Sequence, residues 1–406
     1  MNSRRVRRVW ISVGLGGILC VKFGLSVRPL SRFRLDKTNA FTTWFTGSRQ
    51  ESHVRLSWSE CKFDCCMRSR AAIERVSDAS PNLFCFDVWP RGNSGLYSNL
   101  TEFNTAFAYY LGMALKFLDV VFTEANFHGE VVWRIEDDAT MSISTLAALN
   151  SWGVATLGHS VHTGRTRILM YTALVPNFHF IQQEGFADLG RKAELMETPY
   201  RLLRPQVFWV GSSTGQHCGY GESCIFTCEE LQRFQLVRLS KQAHWLNCSL
   251  INLVQPCSKS TTELREEGIL TGRVAEDEWM QYRGILDIDG HVDAWGLRWR
   301  LNTHSVVFKV KSEYVHHYSH VLKDGVHFIG VEKDMSDLLS KTSIILENDE
   351  RNLRFLENVS HNARKAMKDI TYQNAASEAA RALNEFLRPM ERYTPGWKST
   401  ELLSRK

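Results

Sequence analysis

The sequence predicts two α/β domains arranged one after the other along the chain. Short apolar runs typical of buried strands alternate with longer segments of helical periodicity in both halves. A segment with two prolines, Glu197 to Pro205, separates the halves. The chain has 406 residues, 44% hydrophobic and 23% charged, which is ordinary for a globular protein and enough for two domains. We therefore expect a first domain over residues 59–200 and a second over residues 201–372.

The N-terminal segment predicts a membrane anchor. Four arginines among residues 1–8 precede an apolar run that reaches the length of a membrane span if it continues through Lys22 to Val27. Lys22 would then extend its ammonium group to the interface. We expect a cytosolic basic tail over residues 1–8, a signal anchor over 9–27 and a stem over 28–58. The alternatives are a cleaved signal peptide, which would give a secreted protein, and a cytosolic protein with an unusual N-terminus.

Two further features favour a lumenal location. The chain carries three glycosylation sequons, which begin at Asn99, Asn247 and Asn358. Most cysteines lie in two clusters, and in an oxidising compartment such clusters predict local disulfides of unknown pairing. Their spacing is not the paired Cys-x2-Cys of structural zinc sites. We expect a single-pass type II protein of the Golgi or endoplasmic reticulum membrane. The clusters are Cys61, Cys65, Cys66 and Cys85, then Cys218, Cys224, Cys228, Cys248 and Cys257.

The first domain contains an acidic triplet at the end of a predicted strand. A helix is predicted over Thr101 to Phe127 and a short buried strand over Gly129 to Ile135. The strand runs into Glu136, Asp137 and Asp138. One interpretation is a general base or a metal-binding acid. The other is a solvated turn that caps the following helix.

The second domain begins with a strand that runs into a glycine- and hydroxyl-rich loop. Val207 to Val210 is predicted as a buried strand and Gly211 to Gly215 as its loop. Such a loop leaves backbone N–H groups available to an anion. It is neither a Walker A loop, since no Lys-Ser/Thr follows, nor the Rossmann G-x-G-x-x-G. An overall net charge of +5 with no long basic block gives little support for nucleic-acid binding, and we expect none.

The segment Gln281 to Val310 is the most informative stretch of the sequence. A buried strand ends at the turn Asp289-Gly290, and a segment rich in Trp and Arg leads to a second strand from Ser305 to Val310. Ligands of open α/β sheets usually bind at the carboxyl ends of strands. Aromatic rings beside fixed cations suit a base and a diphosphate. The alternative is a strand pair with a β-turn and core tryptophans. The Trp/Arg segment contains Trp295, Arg298, Trp299 and Arg300.

The region after these strands is predicted to be helical. A helix over Glu313 to Leu322 would place His316 and His320 on one face, although no acid nearby in sequence completes a metal site. Further helices are predicted up to Tyr393, and we expect residues 373–406 to form a C-terminal helix and tail.

Several motifs, in one fixed order, resemble glycosyltransferase family 90. That family holds the capsule-associated glycosyltransferases, the protein O-glucosyltransferases and related lipopolysaccharide enzymes. The similarity is good over residues 200–370 and loose over 130–200. The motifs are Asp287-Ile288-Asp289-Gly290, Trp295 to Leu301, Ser305 to Lys309, Tyr314 to Tyr318, His327 to Val331, and Ser336-Asp337-Leu338.

The resemblance implies a GT-B fold, in which two Rossmann-like domains face a cleft, and an inverting transfer from a UDP-sugar. Its implied general base is Asp137, with Asp138 the next choice, and the acceptor is a hydroxyl of a protein or a glycan. Glucose or xylose is the first candidate for the transferred sugar. Inverting GT-B enzymes need no metal, so no cofactor or divalent cation is expected, because cationic side chains and helix N-termini offset the diphosphate charge.

The resemblance also implies a donor-binding set in the second domain. The family commonly has arginines at the positions of Val210 and Ser213, and their absence here motivates an alternative: an inactive member that binds a sugar nucleotide or glycan. A disulfide-rich secreted binding protein is a third hypothesis. The implied donor-binding residues are Trp209, Gly211, Ser212, Ser213, Thr214, Asp289, Gly290, Trp295, Arg298, Arg300 and Ser305.

Overall fold

The chain divides into two units, Met1–Ser48 and Arg49–Lys406. In the first unit, β1 (Trp10–Val13) pairs antiparallel with β2 (Gly17–Cys20). The computed structural model describes residues 10–13, 17–20, 58–60, 83–88, 94–98, 105–125, 127, 129–134, 143–164, 171–196, 198–215 and 226–391.

The predicted anchor over residues 9–27 receives no support from the described residues. Eight of its positions lie in β1 and β2, and the others lie outside the described residues. Among the helices of the described ranges, none is both long and apolar enough to cross a bilayer. The anchor remains a prediction.

The second unit contains a six-stranded mixed sheet in the order β3-β5-β4-β6-β7-β9. Strands β6, β7 and β9 run parallel, whereas β4 is antiparallel to both β5 and β6. Val131, Val132 and Trp133 of β6 are consecutive and fully buried, as in a strand covered on both faces. The strands are β3 (Trp58–Glu60), β4 (Leu83–Val88), β5 (Ser94–Ser98), β6 (Gly129–Arg134), β7 (Ala155–Gly158) and β9 (Thr172–Leu174).

A five-stranded parallel sheet follows, in the order β11-β10-β12-β13-β15. Because all five strands are parallel, their carboxyl ends lie along one edge, where ligand-binding loops of α/β proteins are found. Parallel strands separated by helices are thus present, as expected of an α/β fold, and the predicted domain bounds 59–200 and 201–372 stay predictions. The strands are β10 (Arg204–Ser212), β11 (Leu246–Asn252), β12 (Tyr282–Asp287), β13 (Val306–Val310) and β15 (Ile329–Val331).

Helices connect these strands and end the described chain. The predicted helix over Thr101 to Phe127 is present as α1 (Thr105–Ala125). The others are α2 (Ile143–Ser151), α3 (Phe178–Gln182), α4 (Ala187–Glu194), α5 (Gln232–Ser240), α6 (Thr261–Glu266), α7 (Glu276–Trp279), α8 (Leu297–Leu301), α9 (Leu338–Thr342), α10 (Glu350–Met367) and α11 (Tyr372–Glu391).

A strand ladder and a helix pair are among the contacts that join the parts carrying the two sheets. A two-stranded antiparallel ladder pairs β8 (Ser160–His162) with β14 (Tyr314–His316). At the C-terminus, α11 returns to α1, where Ser377 Oγ donates a 2.5 Å hydrogen bond to Glu124. The C-terminal helix predicted from residue 373 therefore packs on the first α/β part.

The β8–β14 ladder contradicts the helix predicted over Glu313 to Leu322. Glu313 to Leu322 is not a helix, because Tyr314–His316 forms β14 and only Ser319–Val321 makes a short 3-10 turn. Pairing with β8 outweighs the helical spacing of the histidines, since an aromatic and a β-branched residue suit a strand. His316 and His320 consequently do not share a helical face.

One of the predicted local disulfides is present. Cys228 and Cys257 form a disulfide that closes a loop of 29 residues, whereas Cys248 on β11 is a buried free thiol. Cys61, Cys65, Cys66, Cys218 and Cys224 lie outside the described residues.

Candidate active site at the facing sheet edges

Arg233 of α5 ties together the loops at the carboxyl edge of the five-stranded sheet. Its guanidinium donates hydrogen bonds to the carbonyls of Ser212, Ile288 and Asp289 at 3.1, 3.0 and 2.8 Å, and to Thr214 Oγ1 at 2.8 Å. Burial lowers the Arg233 pKa to about 10. One buried cation therefore fixes the ends of β10 and β12 against each other.

Aromatic packing and two close-packed glycines shape the same edge. The Arg233 guanidinium lies 5.5 Å from the ring centroid of buried Trp209. A Cβ on Gly211 would meet the Trp209 ring at 2.5 Å, and one on Gly290 would meet Thr214 Oγ1 at 2.9 Å. The predicted donor residues Trp209, Gly211 and Gly290 are thus brought together, and glycine is required at two of the positions.

Ser213 and Ser305 point into the protein and hold the backbone. Ser213 is fully buried; its hydroxyl donates to the Gln255 carbonyl at 2.8 Å and accepts from the Gln255 N–H at 3.0 Å. The Ser305 hydroxyl donates to the Tyr282 carbonyl at 2.6 Å. Both predicted donor contacts are used to brace loops, because a buried hydroxyl needs a partner and nearby carbonyls supply it.

The Arg298 side chain lies at the C-terminal end of α10 and not over the loops that follow β10 and β12. It is 6% exposed and donates to the carbonyls of Met367 and Ile370 at 3.2 and 3.0 Å. Met367 is the last residue of α10 and Ile370 lies three residues beyond it, so Arg298 places a cation at the C-terminal end of this helix, which it stabilises. Burial lowers its pKa to about 10. The bidentate hold on a diphosphate expected of Arg298 finds no support in this arrangement.

Arg300 and Lys309 flank a buried carboxylate at the end of β12. Asp287 is fully buried, forms an ion pair with Arg300 and lies 3.5 Å from Lys309 Nζ. The Arg300 guanidinium also lies 5.1 Å from the ring centroid of Trp279. Two cations around one carboxylate leave a local positive charge at this edge, which favours an anionic ligand.

Asp289 faces a serine on the loop after β13. Its Oδ2 accepts a 2.6 Å hydrogen bond from Ser312, whereas its Oδ1 is buried with no hydrogen-bond partner among the described residues. Burial raises the Asp289 pKa. An unsatisfied carboxylate oxygen at a strand end is a contact still open to a hydroxyl donor.

The predicted base lies beyond the described residues, but the strand that leads to it is well placed. Asp137 and Asp138 lie outside the described ranges, which resume at residue 143. Strand β6 ends at Arg134 and is parallel to β7, which ends at Gly158, so both carboxyl ends are at one sheet edge. His159 follows β7 directly and marks that edge.

Around the β8–β14 ladder, a polar cluster joins the two sheet edges. The Asp293 carboxylate lies 2.9 Å from His316 Nδ1, and both side chains are almost fully buried. Burial opposes ionisation of Asp293, but His316, Ser160 and His159 outweigh it and lower its pKa. The His159 ring lies 6.5 Å from that of Trp295. Trp295 is therefore at this junction and not beside Trp209.

The sequence interpretation missed Arg233, Asp293 and His159. Arg233 lies on α5 together with Arg238, which is exposed, and the local sequence does not indicate which of the two arginines is turned inward. Asp293 lies four residues beyond the recognised Asp289-Gly290 turn. His159 directly follows β7, and a polar residue at the carboxyl end of a strand is a signal of a ligand site.

Sequence comparisons match a known protein family over most of the parallel sheet. Residues 226–373 match the profile of Glycosyl transferase family 90. Protein O-glucosyltransferase 2 of Danio rerio is 36% identical over 83 residues, which are 20% of this chain and 17% of that protein. The uncharacterized protein 179R of Invertebrate iridescent virus 6 is 30% identical over 98 residues, 22% of this chain and 8% of that one. The chain spans less than a fifth of each of these relatives.

Among solved structures, a glycosyltransferase from Rickettsia africae ESF-5 aligns with a TM-score of 0.39 and 9% identity, covering 72% of this chain and 85% of that one. A likeness at this level supports no conclusion. The family resemblance indicated by the motif order is confirmed by the profile match, which covers four of the five strands of the parallel sheet. The match to glycosyl transferase family 90 covers residues 226–373, which are less than half of the chain.

Proposed function

We propose that this protein is an inverting glycosyltransferase that moves a hexose or pentose from a UDP-sugar to a hydroxyl of a protein or glycan. The supporting observation is that the carboxyl edges of two α/β sheets, one built mostly from the family 90 segment, are joined by the β8–β14 ladder. Such facing edges can hold a donor on one side and a base on the other. Glucose and xylose are the first candidates, and the O-glucosyltransferase relative favours glucose.

The donor side of the proposed site is the carboxyl edge of the parallel sheet. The loop from Gly211 to Thr214 and the turn Asp289-Gly290 supply backbone, and Arg300 with Lys309 supplies positive charge for the diphosphate. Ser213, Ser305 and Arg298 contribute from behind by bracing these segments. We propose that the cations replace a divalent metal, so chelation should leave the reaction unaffected.

The acceptor side is the edge where β6 and β7 end. We propose that Asp137 takes the proton from the acceptor hydroxyl as its oxygen attacks the anomeric carbon and the UDP oxygen leaves, which inverts that carbon. Asp138 is the second candidate for the base. Location in the Golgi or endoplasmic reticulum membrane through residues 9–27 is part of the same proposal.

One observation favours the alternative of an inactive member that binds a sugar nucleotide or glycan. Ser213 points inward, Arg298 bonds to carbonyls and Arg300 is paired with Asp287. Arg298 and Arg300, the two described cations that were expected to hold the diphosphate, are therefore already paired with groups of the protein itself.

A UDP-release assay on the full chain distinguishes the two. UDP-glucose, UDP-xylose and UDP-galactose are tested with and without EDTA. The enzyme proposal predicts UDP release from one of the sugars and no effect of EDTA. Measurable UDP binding without release from any donor, alone or with candidate acceptors, would overturn the enzyme proposal and support the inactive one.

A further inference from the structure

The junction cluster holds buried polar atoms that lack hydrogen-bond partners within the described part of the chain. Four of these atoms belong to three histidines and a tyrosine. His316 lies on β14, and His317 directly follows that strand. The ring centroid of Tyr318 lies 5.2 Å from that of His316 and 4.9 Å from that of His317, and His316 and His159 both contribute to lowering the pKa of His317. The atoms are His159 Nε2, His316 Nε2, His317 Nε2 and Tyr318 Oη.

The hydrogen bonds of the other ring nitrogens assign these atoms a role. His159 Nδ1 lies 3.0 Å from the Pro176 carbonyl, which only accepts, so Nδ1 carries the proton. Burial lowers the His159 pKa to about 4, so the ring is neutral at pH 7 and Nε2 presents a lone pair. At His316, Nδ1 faces the Asp293 carboxylate and Nε2 is directed away from that carboxylate.

The chemistry of the cluster suits an uncharged ligand with many hydroxyls. Asp293 is anionic, because its pKa is lowered, and a nearby carboxylate repels a phosphate. Burial lowers the pKa of His317 to about 3, so this ring is also neutral. Neutral imidazoles and a phenol exchange hydrogen bonds with hydroxyl groups, and Trp295 beside His159 offers an apolar ring face.

We propose that His159, His316 and Tyr318 form a carbohydrate subsite at the β8–β14 junction, contacting hydroxyls of either the donor sugar or the acceptor glycan. The subsite rests on the proposed function and specifies the place where the sugar lies. The four atoms are buried here, so a ligand reaches them only after local opening at the junction. Residues from both halves contribute, which ties sugar binding to the approach of the two sheet edges.

Tyr318→Phe is the decisive variant. Its hydroxyl lacks a partner among the described residues, so a purely structural role predicts unchanged ligand binding and equal or higher stability. The subsite predicts that UDP binds as in wild type. If the subsite holds the donor sugar, UDP-glucose binds about fivefold more weakly, and if it holds the acceptor, the KM for the acceptor rises instead. Isothermal titration of the full chain with UDP and with UDP-glucose measures both.

Histidine variants supply a second, independent measurement. His316→Asn keeps a donor for Asp293 and deletes Nε2, whereas His316→Gln keeps a polar group at the Nε2 position. A donor-sugar subsite predicts a loss of about tenfold in UDP-glucose affinity for the first variant and a smaller loss for the second, whereas an acceptor subsite predicts a rise in the acceptor KM in the same order. His361→Asn, at an exposed position on α10, is the control and should bind both ligands as wild type does.

The result also identifies the source of the hydroxyls. Weaker UDP-glucose binding assigns the subsite to the donor sugar. Unchanged UDP-glucose binding with a raised KM for the acceptor and unchanged kcat assigns it to the acceptor. If the Tyr318 and His316 variants match wild type in all of these while wild type turns over, the inference alone is overturned. If wild type binds neither UDP nor UDP-glucose, the proposed function fails and the subsite with it.

Discussion

The carboxyl edge of the parallel sheet and the β8–β14 junction differ in how far their buried polar groups are paired. At the edge, Arg233 satisfies three backbone carbonyls and Ser213 satisfies both backbone polar groups of Gln255, and Asp289 Oδ1 is an exception without a partner among the described residues. At the junction, the Nε2 atoms of His159 and His316 are buried without partners among the described residues. A buried polar atom without a partner costs free energy.

The difference indicates different functions. A region whose backbone groups are mostly paired within the protein is rigid and can present backbone and charge in a fixed geometry. A region whose buried polar atoms lack partners within the protein can still form hydrogen bonds with a ligand. The edge would thus act as a preformed platform for the nucleotide, and the junction would contact the sugar.

The largest effect on the platform is expected from Arg233→Ala. Removal of this side chain leaves carbonyls of two strand ends without donors in a buried site, and we expect a loss of about 3 to 5 kcal/mol in unfolding free energy. Urea unfolding measures it. Arg238→Ala on the same helix is the control, because Arg238 is exposed and its ion pair with Glu229 contributes about 1 kcal/mol or less. Equal losses of unfolding free energy in the two variants would contradict the claim that Arg233 holds this edge together.

The junction should make the protein sensitive to acid. The folded-state pKa of His159, about 4, lies below its ordinary value of 6.5. As the pH falls below 6.5 the unfolded chain takes up the proton first, so unfolding free energy falls, by at most about 3 kcal/mol at pH 4. His317 acts in the same direction.

The His159 contribution is isolated by comparing unfolding curves of wild type and His159→Asn between pH 7 and pH 4. The variant should lose stability less steeply, whereas exposed His361→Asn should follow wild type. A wild-type slope retained in His159→Asn would show that His159 does not remain neutral in the folded protein.

Arg298→Met separates a structural role from a ligand-binding role. Arg298 donates hydrogen bonds to carbonyls at the C-terminal end of α10. We therefore expect the variant to lose about 2 kcal/mol of unfolding free energy and to keep a UDP affinity within twofold of wild type. Unfolding and UDP titration are measured on the same sample. A tenfold loss of UDP affinity at unchanged stability would instead restore the diphosphate contact expected from the sequence.

The smallest effect is expected from Ser213→Ala. The variant removes two hydrogen bonds to Gln255 at the border of the platform, and we expect a loss of about 1 kcal/mol. Thermal unfolding detects it, with Ser258→Ala, a residue of the same region whose hydroxyl makes only a 3.8 Å contact to Cys228 Sγ, as the control. A Ser213 variant as stable as the control would show that the loop is held by other contacts.

Local pattern predicted the sheets better than the site. β12 and β13 were predictable because each contains a short apolar run, residues 284–286 and 306–308, and the family 90 motifs predicted their order. The contacts of Arg298 were not predictable, since its partners at Met367 and Ile370 are about 70 positions away in sequence. The strand at Tyr314–His316 was likewise missed, because its pairing with β8 is a long-range contact that outweighs local periodicity.

The central claim is that the two edges together transfer a sugar, with the platform binding nucleotide and Asp137 taking the acceptor proton. The most direct test is Asp137→Asn, measured for UDP binding and for UDP-sugar turnover in parallel. The account predicts UDP affinity equal to wild type and a turnover reduced by about 10² to 10⁴-fold, the usual contribution of a general base. Turnover equal to wild type, with the same UDP affinity, would contradict it.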